Sequence, residues 1–173
     1  GKVEKGYFYT GTGFWDTFRA LFPLLNRLYP SENKKMQEGF VNVYKESGFY
    51  PEWSSPGHRA CMVGNNSASV MADAYLKGVK VEDVETMYEG LLHGTNNVHP
   101  KVSSTGRIGH EYYNTLGYIP YDVKIKENAA RTLEYAYDDS CIYKLAKELK
   151  RPQEEIDLFA KRALNYRNLF DPS

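Results

Sequence analysis

The stretch GTGFWDTFRALFPLL, Gly11 to Leu25, decides how this chain is read. It sets Phe14, Trp15 and Phe18 around Asp16 and Arg19, then runs into an uncharged apolar segment. Apolar residues at Phe14, Phe18, Leu21, Phe22, Leu25 and Leu28 recur at helical spacing. That spacing predicts a helix over 14–29, with Pro23 kinking it or breaking it early. An acid and a base against surface that wants burial admit two readings. In the plainer one, Asp16 and Arg19 pair at i,i+3 in the first turn, where the helix dipole favours an acid. In the other, Asp16 is a hydrogen-bond acceptor on an aromatic wall that grips a sugar, with ring faces against C–H surface and carboxylate against hydroxyls.

Further along, the same periodicity predicts more helices and no strand. Ser31 can cap a helix through about Glu46, with Met36, Phe40, Val43 and Tyr44 on one face and Gly48 just past its end. Residues 49–64, FYPEWSSPGHRACMVG, show no period and read as a loop crossing an end of the fold. A helix over 66–77 carries only Asp73 and Lys77 as charges, so it is buried on most sides. Another over 81–93 turns Val84, Met87, Tyr88 and Leu91 inward and closes at Gly94. A polar loop over 94–108 leads to a short helix over 110–116 that stops at Gly117. The longest helix is predicted over 127–149, and the last over 153–168 with Ile156, Phe159, Ala160 and Ala163 buried. Charge-poor helices thus alternate with charge-rich amphipathic ones, the pattern of an inner and an outer ring.

At 173 residues the chain has the length of one domain, and 22 basic against 22 acidic residues give no nucleic-acid surface, acidic tail or polybasic membrane patch. No apolar run approaches the roughly 18 residues of a membrane span. The opening GKVEKGYFYT has no initiator Met and no signal-peptide pattern, and reads as a cut end. Cys61 and Cys141 read as buried free thiols, a single long-range disulfide being the alternative. The 15 Tyr suit a cleft for polyols or a tyrosine-rich helical core equally.

Several clusters carry candidate chemistry. On the longest helix Glu134, Asp138 and Asp139 fall within one turn, interleaved with Tyr135 and Tyr137. Acids so close repel, so they either face solvent beside Arg131 and other cations or turn inward to bind hydroxyls or a cation. In the 49–64 loop, Trp53, His58 and Arg59 stand on a proline-bounded platform; Trp53 is a ligand-facing ring or a packing plug. Asn65, Asn66 and Ser67 read as capping residues. His58, His93, His99 and His110 lack metal-ligand spacing, and no nucleophile elbow, P-loop or dinucleotide fingerprint occurs.

Four segments in order, GFWDTFRALFPLL, PEWSSPGHRACMVGNNSASVMADAYLKG, RTLEYAYDDSCIYKLAKEL and RALNYRNLFDP, resemble glycoside hydrolase family 92, calcium-dependent exo-acting alpha-mannosidases. The resemblance covers most of the chain. It implies an all-α fold that is about half of an (α/α)6 toroid of twelve helices, with residues 1–173 forming a partial catalytic domain. It further implies inverting hydrolysis of alpha-mannosides of glycans outside the cytoplasm, in a secreted or periplasmic enzyme. Such chemistry needs a carboxylic acid and a carboxylate base about 6.5–9.5 Å apart. The family's acid, in a Gly-Asn-Glu-Pro type motif, and its base and main calcium motifs match nothing here, so the calcium ligands are expected outside this segment. What the resemblance assigns here is sugar-binding wall: Trp15 and Asp16 first, then Trp53, Arg59, Glu134 and Asp138. Partners implied are mannose-containing glycans, the rest of the catalytic domain and an N-terminal β domain. The rival reading is a non-catalytic helical module that binds carbohydrate or protein.

Overall fold

The computed structural model describes residues 3–170; the ends of the chain, including the last two residues of the RALNYRNLFDP segment, lie outside the described residues. Among the described residues the α-helices are α1 (Phe14–Thr17), α2 (Leu21–Leu28), α3 (Pro30–Ser47), α4 (Ser67–Leu76), α5 (Val84–Asn96), α6 (His110–Leu116), α7 (Asn128–Glu148) and α8 (Gln153–Arg162). The charge-poor α2 and α4 pack side by side with α7 as an inner layer. Behind them lie α3 on α2 and α4, α5 on α3, and α8 on α7. The alternation read from charge therefore holds from α2 to α5, whereas α7 joins α4 despite its many charges.

Boundaries differ from the sequence expectation where local chemistry wins. The helix over 14–29 breaks at residues 18–20 and restarts, which places Pro23 in the first turn of α2. Its missing N–H has no intrahelical partner to lose there. Ser31 does not cap α3, because Pro30 takes the first position with its φ already set for the helix, and Tyr29 precedes it. The far end behaves as expected, with Gly48 left-handed at φ +79°. α5 starts later than predicted, where Asp83 accepts from the Thr86 N–H at 3.1 Å, and it runs through Gly94 to Asn96. The last helix ends at Arg162, and a 3-10 turn covers Asn165–Leu169.

The expectation of no strands needs correcting. β1 (Thr12–Gly13) pairs antiparallel with β2 (Trp53–Ser54), and β3 (Val98–His99) pairs with β4 (Val102–Gly106). β2, β3 and β4 sit inside stretches that read as loops, β1 just precedes the first predicted helix, and three of the four strands have only two residues, too short to show alternation.

One large core joins the layers. Phe14, Phe22 and Phe40 meet edge to face at 4.8–6.0 Å, packed with Met71, Met87, Tyr88, Ile142 and Leu145. Each such side chain contributes about 1.5–3 kcal/mol on burial. Cys141 is buried as expected, whereas Cys61 is exposed; both thiols are free. Apolar surface remains uncovered along α2, at Leu21, Leu24 and Leu28, on α7 and α8, at Leu133 and Leu158, and just past α8 at Leu164. No helix among the described residues is long and apolar enough to cross a membrane.

Candidate functional site: an aromatic and carboxylate wall over a buried polar knot

The short β1–β2 ladder brings the opening segment to the 49–64 loop. Gly11 N–H donates to the Ser54 carbonyl at 2.7 Å, and Phe14 N–H donates to the Glu52 carbonyl at 3.0 Å. In register, Gly13 faces Trp53. A Cβ on Gly13 would stand 2.9 Å from the Trp53 ring, so the absent side chain is what lets the indole lie against the strand. Arg59 covers that ring from the loop, its guanidinium carbon 5.1 Å from the centroid, and its backbone N–H donates to the Trp53 carbonyl at 3.2 Å.

On the other side of β1, α1 presents Trp15 and Asp16 to solvent. The Trp15 Nε1–H donates to Glu134 Oε1 at 3.2 Å, and Arg19 Nη2 lies 3.6 Å from the same oxygen. Arg19 also stacks on Trp15 and Phe18, at 4.7 Å and 4.4 Å. The Asp16–Arg19 pair of the plainer reading is therefore not made. Glu134 draws Arg19 across, and Asp16 stays exposed with no ion pair or hydrogen bond among the described residues. Glu134 likewise does not pair with Arg131, which binds Glu127 at 3.1 Å instead. Gly64, left-handed at φ +90°, packs its backbone on Glu134: a Cβ there would lie 3.0 Å from that of Glu134. Below this mouth a cleft of about 540 Å³ runs down between the inner helices, its polar lining made by Arg19, Ser69, Asp73, Glu134, Tyr137 and Lys144.

Behind the wall lies a buried polar knot. Glu52 Oε1 accepts from Asn65 Nδ2 at 2.9 Å and from the Ser67 hydroxyl at 2.7 Å, and Oε2 accepts from the Ser67 N–H at 3.1 Å. Glu52, not Asn66, thus caps the start of α4. The Asn65 side-chain oxygen takes the Arg107 Nε–H at 3.2 Å, and the Asn65 backbone N–H donates to Asp138 at 2.8 Å. Arg107, fully buried between Tyr113 and Tyr135, pairs with Asp139 at 2.6 Å, while the Tyr113 hydroxyl donates to Asp139 at 2.9 Å. Acids outnumber the cations they face. Burial pushes the Glu52 carboxyl up to about 7 despite its donors. Burial also holds Asp138 well above the usual carboxylate range and raises Asp139, with Arg107 opposing it at both.

Of the six residues singled out from sequence, Trp15 and Glu134 are brought into contact, with Asp16 exposed next to Trp15 on α1 but bonded to neither, and Trp53 and Arg59 form a second pair at β2. Asp138 is set apart: it is wholly buried under Asn65 and contributes nothing to the exposed surface. Glu52, Arg107 and Tyr113 escaped the sequence reading. Their one visible signal is a lone charge in a charge-poor stretch, at FYPEW and at TGRIG.

The Glycosyl hydrolase family 92 catalytic domain model matches residues 1–173. An inverting family 92 mannosidase from Bacteroides thetaiotaomicron is similar at 49% identity with TM-score 0.95, over 99% of this chain and 23% of that one. A second alpha-mannosidase of the family from that organism, solved in complex with mannoimidazole, superposes at TM-score 0.88 with 34% identity, over 99% of this chain and 22% of that one. An uncharacterized secreted glycosidase from Arthroderma benhamiae is 30% identical over 139 residues, 75% of this chain and 18% of that protein. The chain therefore spans about a fifth of the length of these relatives. Its layered helices are part of an (α/α)6 toroid. The chain belongs to glycoside hydrolase family 92 and carries part of its catalytic domain.

Proposed function

We propose that this chain supplies part of the sugar-binding wall of an alpha-mannosidase that hydrolyses alpha-mannosidic bonds of glycans with inversion. One observation carries the reading: Glu134 is fixed through Oε1 by Trp15 and Arg19 at the mouth of the inner-helix cleft. No hydrogen bond to its Oε2 occurs among the described residues, and Asp16 stands exposed next to Trp15 on α1. A pyranose lying on the Trp15 ring would meet π surface on its C–H face and carboxylate oxygens at its hydroxyls. Trp53 with Arg59 extends that surface beyond β1. Asp138 supports it from behind. The similar inverting mannosidase and the mannoimidazole complex support alpha-mannoside as the ligand, and the secreted relative supports an enzyme that is secreted or periplasmic.

The proton chemistry belongs outside these residues, in the remainder of the catalytic domain, with an N-terminal β domain beside it. That remainder is the natural cover for the apolar faces of α2, α7 and α8. Calcium, the cofactor the family resemblance implies for the complete enzyme, belongs to this proposal with its ligands outside this segment. No step is assigned to it.

The test is equilibrium binding of methyl alpha-mannoside to the complete polypeptide by calorimetry. Trp15→Ala and Glu134→Gln should each weaken binding about 10- to 100-fold, or about 1.4–2.8 kcal/mol, with the unfolding temperature held. Binding unchanged in both variants would remove the wall from the site, and tight binding of another ligand class would point to the non-catalytic module.

A further inference from the structure

The wall comes in two pieces on separate elements, and one buried side chain touches the supports of both. We propose that Glu52, which reaches no ligand, is the positioning residue that sets the spacing between the Trp15–Glu134 piece and the Trp53–Arg59 piece. Its backbone carbonyl accepts the Phe14 N–H that starts α1, one residue before Trp15, and it immediately precedes Trp53 on β2. Its carboxylate holds Ser67 at the head of α4 and the side chain of Asn65. Through the Asn65 N–H the tie continues to Asp138, one turn along α7 from Glu134, while Gly64 rests on Glu134 itself. Moving Glu52 moves α1, β2 and the 64–67 corner together.

The chemistry of the knot requires an acceptor. All three groups bonded to the Glu52 carboxylate are donors in this arrangement, the two on Oε1 from side chains and the one on Oε2 from backbone. A proton or an amide N–H₂ at this position would set donor against donor. The charged and titratable groups facing Glu52 are Arg107, from the segment after β4, and Asp138, from α7. Since burial places the Glu52 carboxyl near 7, the knot is tightest above that pH and slackens below it. Stability should run the other way. A carboxyl raised in the folded state keeps a proton the unfolded chain has lost, so its contribution to stability falls as pH rises from about 4.3, the ordinary Glu value, towards 7. A role confined to stability would move ligand affinity and stability together.

The proposal rests on the sugar-wall reading for its ligand, and the experiment separates the two. In the complete polypeptide, the dissociation constant of methyl alpha-mannoside and the unfolding temperature are measured from pH 5 to 8.5 for wild type, Glu52→Gln and Ser67→Ala. Hydrogen exchange of segments 11–19 and 62–68 is compared at one pH. Wild type should bind about 3- to 10-fold tighter at pH 8 than at pH 5.5. Glu52→Gln should bind at least 10-fold weaker at pH 8 and lose the pH step, with exchange faster several-fold in both segments. Ser67→Ala, the milder change, takes away one donor and should shift the step to higher pH. Affinity that tracks the unfolding temperature, or exchange unchanged in both segments, overturns the role of Glu52. If wild type binds no mannoside, the sugar reading fails on its own, and the exchange comparison alone decides whether Glu52 ties the two segments.

Discussion

Arg107→Met is the perturbation that tests most sharply what holds the knot together. The guanidinium is wholly buried, bonded to Asn65 through Nε and paired with Asp139 at 2.6 Å. Methionine keeps most of the length and the contact with Tyr113 and Tyr135 but removes the charge. Asp139 is then left with the Tyr113 hydroxyl and the more distant charge of Arg162, and Asp138 loses the cation it faces. Removing one partner of a buried pair costs about 3–5 kcal/mol. The lost donor to Asn65, of order 1–3 kcal/mol, overlaps that figure and makes its lower end a floor. The stranded carboxyl will take up a proton, so the variant should lose stability relative to wild type by up to about 1.4 kcal/mol per pH unit once pH rises above the already raised value that Asp139 has in wild type. Urea unfolding of the complete catalytic domain at pH 5 and pH 8 measures both effects. Arg107→Met combined with Asp139→Leu supplies the control. It discards both charges, and the Tyr113 hydroxyl keeps the Arg162 carbonyl at 3.2 Å as acceptor, so at least half of the loss should return. A single variant less than 1 kcal/mol below wild type, or a double variant no better than the single, would refute the reasoning.

Two further changes probe the ends of the argument. Gly13→Ala places a methyl 2.9 Å from the Trp53 ring and should turn that indole out of its seat, lowering mannoside affinity while a Trp53→Ala background makes the same change silent; equal effects in both backgrounds would break the link. Asp83→Ala removes the α5 cap and should cost about 1 kcal/mol near neutral pH. Lys45 and the Thr86 amide depress the Asp83 carboxyl to about 2, so the difference from wild type should persist above the ordinary value and fade as pH falls through 4 towards 2. A difference that survives below pH 2 would assign the loss to something other than the carboxylate.

Helix content and layering were legible because they rest on periodicity and charge asymmetry, which are properties of single segments. Met87, Tyr88 and Leu91 lie buried on the face of α5 that the spacing named, and the charge-poor α4 is buried from Ser67 to Ala72 and again at Ala74. Boundaries moved where one residue's covalent chemistry overrode the pattern, as Pro30 did at α3 and Asp83 at α5. Trp15 and Glu134 could be named separately, but their contact spans 119 positions and no local pattern encodes it. Glu52 and Arg107 were harder still. Each reads as an isolated charge, and only the fold shows that Asn65 bonds to both. Of the two readings open for Asp138 and Asp139, solvent-facing or inward, both side chains are buried, and the cation they meet comes from the segment after β4, not from their own helix.

The most direct measurement is the release of mannose from an aryl alpha-mannoside by the complete polypeptide, wild type against Asp16→Ala, with unfolding temperatures taken in parallel. A sugar-binding wall built on Trp15, Asp16 and Glu134 predicts mannosidase activity in wild type, and a loss of at least 100-fold in kcat/KM in the variant with the unfolding temperature unchanged. Wild-type release that Asp16→Ala leaves intact, or a loss of activity matched by an equal loss of stability, would contradict it.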